Sequence, residues 1–176
     1  LARLPEGVQD LQRLAVEDVL ASRMICKPLH LLDCCVETDN ATAVIVTSAA
    51  RARDGRHPRV LIRAVAGRVC KPRIDMHYQH GPISTVAGQY AREILWPNSG
   101  VDPQDVDVTG SYDAFTFTAM LQLEDYGFCH KGEGGQYVSD GTICLGGRRP
   151  NNTSGGHLCE GYTLSLIHIS EPTRRS

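Results

Sequence analysis

The sequence predicts an α/β layered fold, in which helices pack against a sheet. Strand-like and helix-like segments alternate along the chain between residues 16 and 127. From Phe128 to Gly161 glycine dominates, in "KGEGG", "DGTICLGG" and "SGG". Alternating segments of this kind are typical of mixed folds whose helices connect the strands of a sheet.

Composition excludes several classes of protein. The 176 residues are 41% hydrophobic and 22% charged, as in an ordinary globular domain. A formal net charge of −2 gives no reason to expect nucleic acid or an anionic membrane as a partner, and no run approaches the length of a membrane span. The seven cysteines contain no C-x-x-C pair. They predict buried thiols in a reducing cytoplasm, not a disulfide framework or a zinc site.

The first segments introduce both element types. "VEDVLASRMI" (Val16–Ile25) is helix-like at its start, and Pro28 prevents any continuation. Thr42–Thr47 is an apolar, β-branched run that predicts a buried strand. A short helix follows it and exposes Arg51 and Arg53.

A turn separates these segments from the rest. Asp54–Pro58 ("DGRHP") has the composition of a turn and is the best candidate for a domain boundary. Arg59–Gly67 alternates enough to predict a second strand. Lys71–Pro82 is predicted to be a loop. Its His77 and His80 lack a third ligand at a suitable spacing, so no metal site is predicted.

The later segments predict two longer helices. The first helix is predicted over Ser84–Trp96, with Ser84 as its N-cap candidate and Pro97 as the residue that ends it. A short strand, Val106–Thr109, comes next. The second helix is predicted over Tyr112–Gly127, with Asp113 as its cap or first-turn acid and Gly127 just past its end.

Several of these segments together resemble the thiolase superfamily, and most closely its sterol-carrier/lipid-transfer-protein type. They are "CCVETDNATAVIVTSAARARD", "SYDAFTFTAMLQLEDYGFC", "KGEGG", "GGRRPNNTSGG" and "EGY", in the family's order. The resemblance covers Val16 to Tyr162. It implies a layered αβαβα sandwich of two similar halves. On that pattern residues 1–58 are the end of the N-terminal half, and residues 59–163 are most of the C-terminal half.

The two ends of the chain have their own interpretation. Leu1 is not a start methionine, so the chain is expected to begin inside a larger protein. Residues 164–176 read "LSLIHISEPTRRS". From Leu164 to Arg174 this segment matches the translation of a transposase adapter used for sequencing libraries. We therefore expect it to be an artefact that packs against nothing.

The resemblance also implies a site. In thiolases the segment similar to "NTSGGHLCEGY" has a histidine where this chain has Tyr162, and the segment similar to "SYDAF" offers asparagine or histidine where it has Tyr112. The family pattern folds both segments into one pocket. The backbone of Gly155, Gly156 and Gly161 is then expected to approach the substrate at the pocket floor.

Replacing imidazole and amide by phenols changes the chemistry. A cysteine acyl-enzyme needs a base that works near neutrality, whereas a phenol has a reference pKa of about 10. A phenolate can take a hydroxyl proton, and a phenol can donate to a developing enolate. These are the two tasks of retro-aldol cleavage of a β-hydroxyacyl thioester. A branch of the family in steroid side-chain degradation uses a tyrosine pair, which Tyr112 and Tyr162 fit.

Other interpretations remain open at this stage. A nucleophilic cysteine elsewhere in the parent protein would make it an acetyl-CoA acetyltransferase (thiolase), and loss of catalysis would leave an acyl-CoA or lipid binder. Tyr112 alone is also compatible with a core aromatic. His157 and Cys159 could form a dyad, but they are better interpreted as wall residues. The chain by itself is expected to be inactive.

The resemblance further implies the partners of the parent protein. Coenzyme A enters as part of the substrate, and no covalently bound cofactor is expected. Proteins of this type are generally homodimers. The lyases of the branch work with a small OB-fold partner that carries a zinc ribbon. A cytoplasmic location is expected.

Overall fold

The computed structural model describes residues 14–36, 38–39, 43–66 and 84–161. The chain divides into two compact units, Leu1–Cys34 and Cys35–Ser176. The division into thiolase-like halves at residue 58 stays a prediction. The loop that contains His77 and His80, Tyr162 and the tail from Leu164 lie outside the described residues.

The described residues of the first unit form a short helix, a small hairpin and a 3₁₀ turn. Asp18 accepts a hydrogen bond from the Ala15 N–H at 2.8 Å and so caps the helix, which confirms the helical start of this segment. The hairpin is antiparallel, with Met24 opposite His30. The elements are α1 (Val16–Ala21), β1 (Met24–Cys26), β2 (Leu29–His30) and a 3₁₀ turn (Leu31–Asp33).

The strands predicted in the second unit are not formed. Residues 43–48 and 58–66 have no regular secondary structure, and Thr109 makes one isolated parallel bridge, to Asn151. An extended run becomes a strand only when a neighbouring backbone pairs with it. The described part of the chain supplies no such neighbour to these runs, so their apolar side chains stay exposed, Ile45 by 92% and Ile62 by 67%. The predicted short helix between them is confirmed as α2 (Ala49–Ala52).

The next helix, α3, spans Gly88–Ser99 and differs from the prediction at both ends. Its N-cap is Ala87, not Ser84, because the Val86 N–H is bound by the carboxylate of Asp125 and holds the preceding chain outside the helix. Pro97 lies inside the last turn, where its missing N–H costs one intrahelical bond. Gly100, at φ +63°, ends the helix.

Helix α4 spans Thr116–Asp125, so it begins later than predicted. Its N-cap is Phe115. Asp113 is therefore neither its cap nor its first-turn acid, and its carboxylate bonds elsewhere. The predicted end is confirmed, since Gly127 follows the helix at φ +87° and donates its N–H to the Glu124 carbonyl. The remaining elements are a 3₁₀ turn (Pro103–Asp105), α5 (Gly134–Ser139) and α6 (Gly156–Cys159).

The core of the second unit lies where α3, α4 and α5 meet. Leu123, Phe128 and Tyr137 are buried at its centre. The Trp96 ring contacts Phe128 edge to face, with centroids 5.8 Å apart, and its indole N–H donates to the Tyr126 carbonyl. Tyr112 does not belong to this core cluster.

A buried arginine ties the glycine-rich segment to this core. Arg149 is 1% exposed. Its guanidinium donates to the carbonyls of Val106 (2.8 Å) and Gln104 (3.0 Å) and to the Tyr137 hydroxyl (2.9 Å). It also lies over the Phe128 ring, 4.9 Å from the centroid. Arg149 thus connects three stretches of chain that are far apart in sequence.

Two further expectations can be compared with the described residues. Within them, no helix has both the length and the apolar character that crossing a bilayer requires. Of the cysteines in the described part, Cys26, Cys144 and Cys159 are exposed, and Cys34, Cys35 and Cys129 are half-buried. The prediction that the thiols are buried is therefore wrong for these positions.

Candidate active site

Tyr112 is held in place through its own backbone. Its N–H donates to the side-chain oxygen of Gln122 at 3.0 Å, and its carbonyl accepts from the amide nitrogen of the same side chain at 2.6 Å. That nitrogen also donates to the Thr118 carbonyl within α4. A single glutamine therefore clamps the loop before α4 to the helix.

The Tyr112 ring packs against α6. Its centroid lies 5.2 Å from that of the His157 ring, at an interplanar angle of 79°. This edge-to-face contact is a favoured aromatic geometry. His157 is only 3% exposed. Tyr112 thus stands between α4, which fixes its backbone, and α6, which fixes its ring.

Asn152 links the segment before α6 to Ser111, the residue that precedes Tyr112. Its side-chain oxygen accepts from the Ser111 N–H at 2.8 Å, and its side-chain nitrogen donates to the Ser111 carbonyl at 3.0 Å. Its backbone has φ +49°, in the left-handed region that asparagine tolerates better than most residues. Two consecutive residues, Ser111 and Tyr112, are therefore clamped by side-chain amides.

Asp113 makes the third link. Its carboxylate is 3% exposed and accepts the backbone N–H groups of His157, at 2.8 Å, and Leu158, at 3.4 Å. Gly156, at φ +61°, has no room for a side chain, since a Cβ there would collide with the Asp113 carboxyl and the Asn152 amide. Asp113 thus caps the first turn of α6.

The role of Asp113 could not be predicted from local sequence. An acid at the start of a predicted helix is ordinarily that helix's own cap. Here it caps another helix, distant in sequence, which only the folded chain reveals. The closest signal is the adjacent pair Gly155 and Gly156, which marks a point of close approach.

The predicted substrate-binding glycines lie on and beside α6. A Cβ on Gly155 would be 3.3 Å from the Cys159 Cβ, and one on Gly161 would be 2.9 Å from the Thr38 hydroxyl oxygen. The close approaches that the structure describes are therefore to protein atoms, and binding of substrate by these glycines stays a prediction. Tyr162 follows Gly161 directly in sequence.

His157 and Cys159 do not form a dyad. Residues two apart on a helix do not face each other, and here His157 is buried while Cys159 is exposed. Partial burial and the charge of Asp113 raise the pKa of the Cys159 thiol, which disfavours thiolate. Their interpretation as wall residues stays a prediction.

A separate open cavity of about 600 Å³ lies where α3 meets the C-terminal end of α4. Lys131 lines it and binds Asp125 at 2.8 Å and Glu124 at 3.2 Å, two buried acids that also line it. Neither Tyr112 nor the three glycines line it. Cys129 is on its wall.

Cys129 is expected to be a poor nucleophile. Burial, followed by the charges of Glu124 and Glu133, raises the pKa of its thiol to about 11. At pH 8 the thiolate fraction is then about 100-fold below that of an ordinary thiol. Iodoacetamide labelling of the native chain, followed by peptide mass spectrometry, should modify the exposed control Cys144 well before Cys129. Equal labelling rates would contradict this account.

No group of three or more histidine, cysteine, aspartate or glutamate side chains in the described part of the chain is placed to hold a metal ion. His77 and His80 lie outside that part, so their interpretation is unchanged.

Comparison with known proteins decides the family. Residues 76–175 match the sequence model of the family described as thiolase C-terminal domain-like. The chain belongs to the thiolase superfamily. The matched range extends into the tail from Leu164, whose interpretation as adapter sequence stays a prediction.

The thiolase-like chain has relatives of two kinds. It is 43% identical over 174 residues to 17-hydroxy-3-oxo-4-pregnene-20-carboxyl-CoA lyase of Mycobacterium tuberculosis. It is 39% identical over 163 residues to a steroid side-chain-cleaving aldolase of Thermomonospora curvata. An acetyl-CoA acetyltransferase of Methanocaldococcus jannaschii is 31% identical over 161 residues. The first two alignments cover 92% of this chain but 42% of each relative, so the chain spans less than half of their length.

A solved structure agrees with the sequence relatives. The Ltp2-ChsH2(DUF35) aldolase matches with a TM-score of 0.77 and 39% identity, over 85% of this chain and 40% of the other. The predicted α/β thiolase-like fold class and the resemblance to the steroid side-chain aldolase branch are confirmed.

Proposed function

We propose that the protein containing this thiolase-like chain is a lyase that cleaves a β-hydroxyacyl-CoA by a retro-aldol reaction in steroid side-chain degradation. The observation that carries the proposal is the setting of Tyr112. A phenol stands where thiolases offer asparagine or histidine, with its backbone clamped by Gln122 and its ring on α6, the helix that leads to Tyr162. The lyase and the aldolase are also more similar to this chain than the acetyltransferase is.

The reaction assigns one task to each tyrosine. One, as phenolate, removes the proton of the β-hydroxyl group, and the oxygen's electron pair forms a ketone carbonyl as the Cα–Cβ bond breaks. The electrons of that bond become a thioester enolate. The other tyrosine donates a hydrogen bond to the enolate oxygen and then a proton to its α-carbon. A branched substrate thus yields propionyl-CoA and a ketone.

Coenzyme A enters this scheme as the substrate's thioester group, and no covalently bound cofactor takes part.

We further infer a homodimer and a small OB-fold partner with a zinc ribbon. The solved aldolase joins two components, Ltp2 and ChsH2(DUF35), which supports a partner protein. Elution of the complete, active protein as a monomer would contradict the dimer. We also infer a cytoplasmic location, where thiols stay reduced.

Acyl transfer is the second candidate, because an acetyl-CoA acetyltransferase is among the relatives. It requires a nucleophilic cysteine with an accessible thiolate. Cys129 and Cys159, within the described residues, have raised thiol pKa values and do not suit that role. These two cysteines are therefore poor candidates for the nucleophile.

The two candidates differ in products. With a branched β-hydroxyacyl-CoA and no free coenzyme A, the complete protein should release propionyl-CoA and a ketone in equal amounts. An acetyltransferase would leave this substrate intact. It would instead cleave a β-ketoacyl-CoA only when free coenzyme A is added, giving two thioesters. That second pattern would overturn the proposal.

A further inference from the structure

Side-chain hydrogen bonds on both sides of Tyr112 hold residues 109–113 against residues 150–158. Asn152 clamps the residue before it, and Asp113 is the residue after it. The Asp113 carboxylate reaches across to the first turn of α6, where it accepts the His157 and Leu158 N–H groups. The His157 ring in turn contacts the Tyr112 ring. The backbone contact and the ring contact therefore join the same two segments.

The hydrogen bonds between Asp113 and the first turn of α6 are expected to form a rigid link. Hydrogen bonds from backbone N–H groups to an ionised carboxylate are stronger than neutral ones, and burial strengthens them further. Asp113 is 3% exposed, so water does not compete well for its oxygens. Gly156 leaves no gap, since a Cβ there would meet the Asp113 carboxyl. The first turn of α6 is consequently fixed relative to the backbone of residue 113.

We propose that Asp113 is a positioning residue for the tyrosine pair. By binding the first turn of α6, it fixes the position of α6 relative to Tyr112, and Tyr162 follows this helix in sequence. It acts on the reaction through those backbone amides and does not touch the substrate. This inference rests on the proposed function, because it requires both phenols to act on the same substrate.

The first test compares two substitutions in the complete protein. Asp113→Ala removes both acceptors, and a displacement of about 1 Å in a reacting group can cost about 100-fold in rate. We expect kcat to fall by about that factor, with KM within about twofold. Asp113→Asn keeps a carbonyl oxygen for the His157 N–H, so it should lose only about five- to tenfold. Parental kcat in a folded Asp113→Ala protein would overturn the proposal.

A double-mutant cycle separates positioning from general structural damage. If Asp113 acts by placing Tyr162, Asp113→Ala should have little further effect on kcat once Tyr162→Phe has removed the reacting group. Merely structural damage would lower kcat by the same factor in both backgrounds, and that result would overturn the proposal. If Asp113→Ala fails to fold, Asp113→Asn takes its place in the cycle, and its smaller loss should likewise vanish.

The same cycle distinguishes the failure of this inference from failure of the proposed function. If Tyr162→Phe alone keeps the parental kcat, the tyrosine mechanism fails whatever Asp113 does. If Tyr162→Phe lowers kcat and the loss from Asp113→Ala persists undiminished beside it, only the positioning role of Asp113 fails.

Discussion

Replacing Tyr162 by phenylalanine in the complete protein should lower kcat for retro-aldol cleavage by about 10²- to 10⁴-fold, the usual contribution of a general acid or base. The ring is kept and only the phenol oxygen is lost, so substrate affinity and stability should change little. Steady-state assay of ketone release gives kcat and KM, and thermal unfolding gives stability. A loss confined to KM would mean that Tyr162 binds substrate without transferring a proton.

Tyr112→Phe should behave alike if Tyr112 is the second member of the pair. If Tyr112 were merely a packed aromatic, the change would be nearly silent, because the ring contact with His157 survives. Tyr90→Phe on α3 is the matched control, since it removes a phenol oxygen from a half-buried residue outside the site. Equal kcat in the Tyr112→Phe and Tyr90→Phe proteins would remove Tyr112 from the mechanism.

Arg149→Met should cause the largest loss of stability. Methionine fills part of the space but cannot donate, so the part-buried carbonyls of Val106 and Gln104 and the buried Tyr137 hydroxyl lose their partner. Hydrogen bonds to charged groups contribute about 1.5–3 kcal/mol each, and water can replace the donor at the exposed Gln104, so the free energy of unfolding should fall by about 2–4 kcal/mol.

The neighbouring residue supplies the control. Arg148 is exposed and makes one side-chain bond, to Gln104 at 3.3 Å. Arg148→Met should therefore change the free energy of unfolding by less than about 0.5 kcal/mol. Urea denaturation followed by circular dichroism measures both variants. Equal midpoints for the two would show that Arg149 does not stabilise the fold in this way.

The features that the sequence predicts best are those that depend on local chemistry. The turn at Asp54–Pro58, the short helix before it and the end of α4 at Gly127 all need only neighbouring residues, and all are present. The family resemblance also depended on short motifs in order, and the family match confirms it.

Features that depend on distant partners could not be predicted. The apolar runs around Ile45 and Ile62 have strand composition, but strands need paired neighbours that the described residues do not supply. The starts of α3 and α4 were placed too early because buried acids act across the fold. Asp125 holds the chain before α3, and Asp113 binds α6 instead of its own helix. No local pattern encodes which backbone a buried carboxylate will meet.

The most direct test of the central claim, that tyrosines carry retro-aldol chemistry on this thiolase fold, is a count of products. The complete protein and its Tyr112→Phe, Tyr162→Phe double variant are incubated with a branched β-hydroxyacyl-CoA and no free coenzyme A. We expect one ketone for each propionyl-CoA from the parent and almost none from the double variant. Parental turnover in the double variant, or cleavage that appears only when coenzyme A and a β-ketoacyl-CoA are supplied, would contradict the claim.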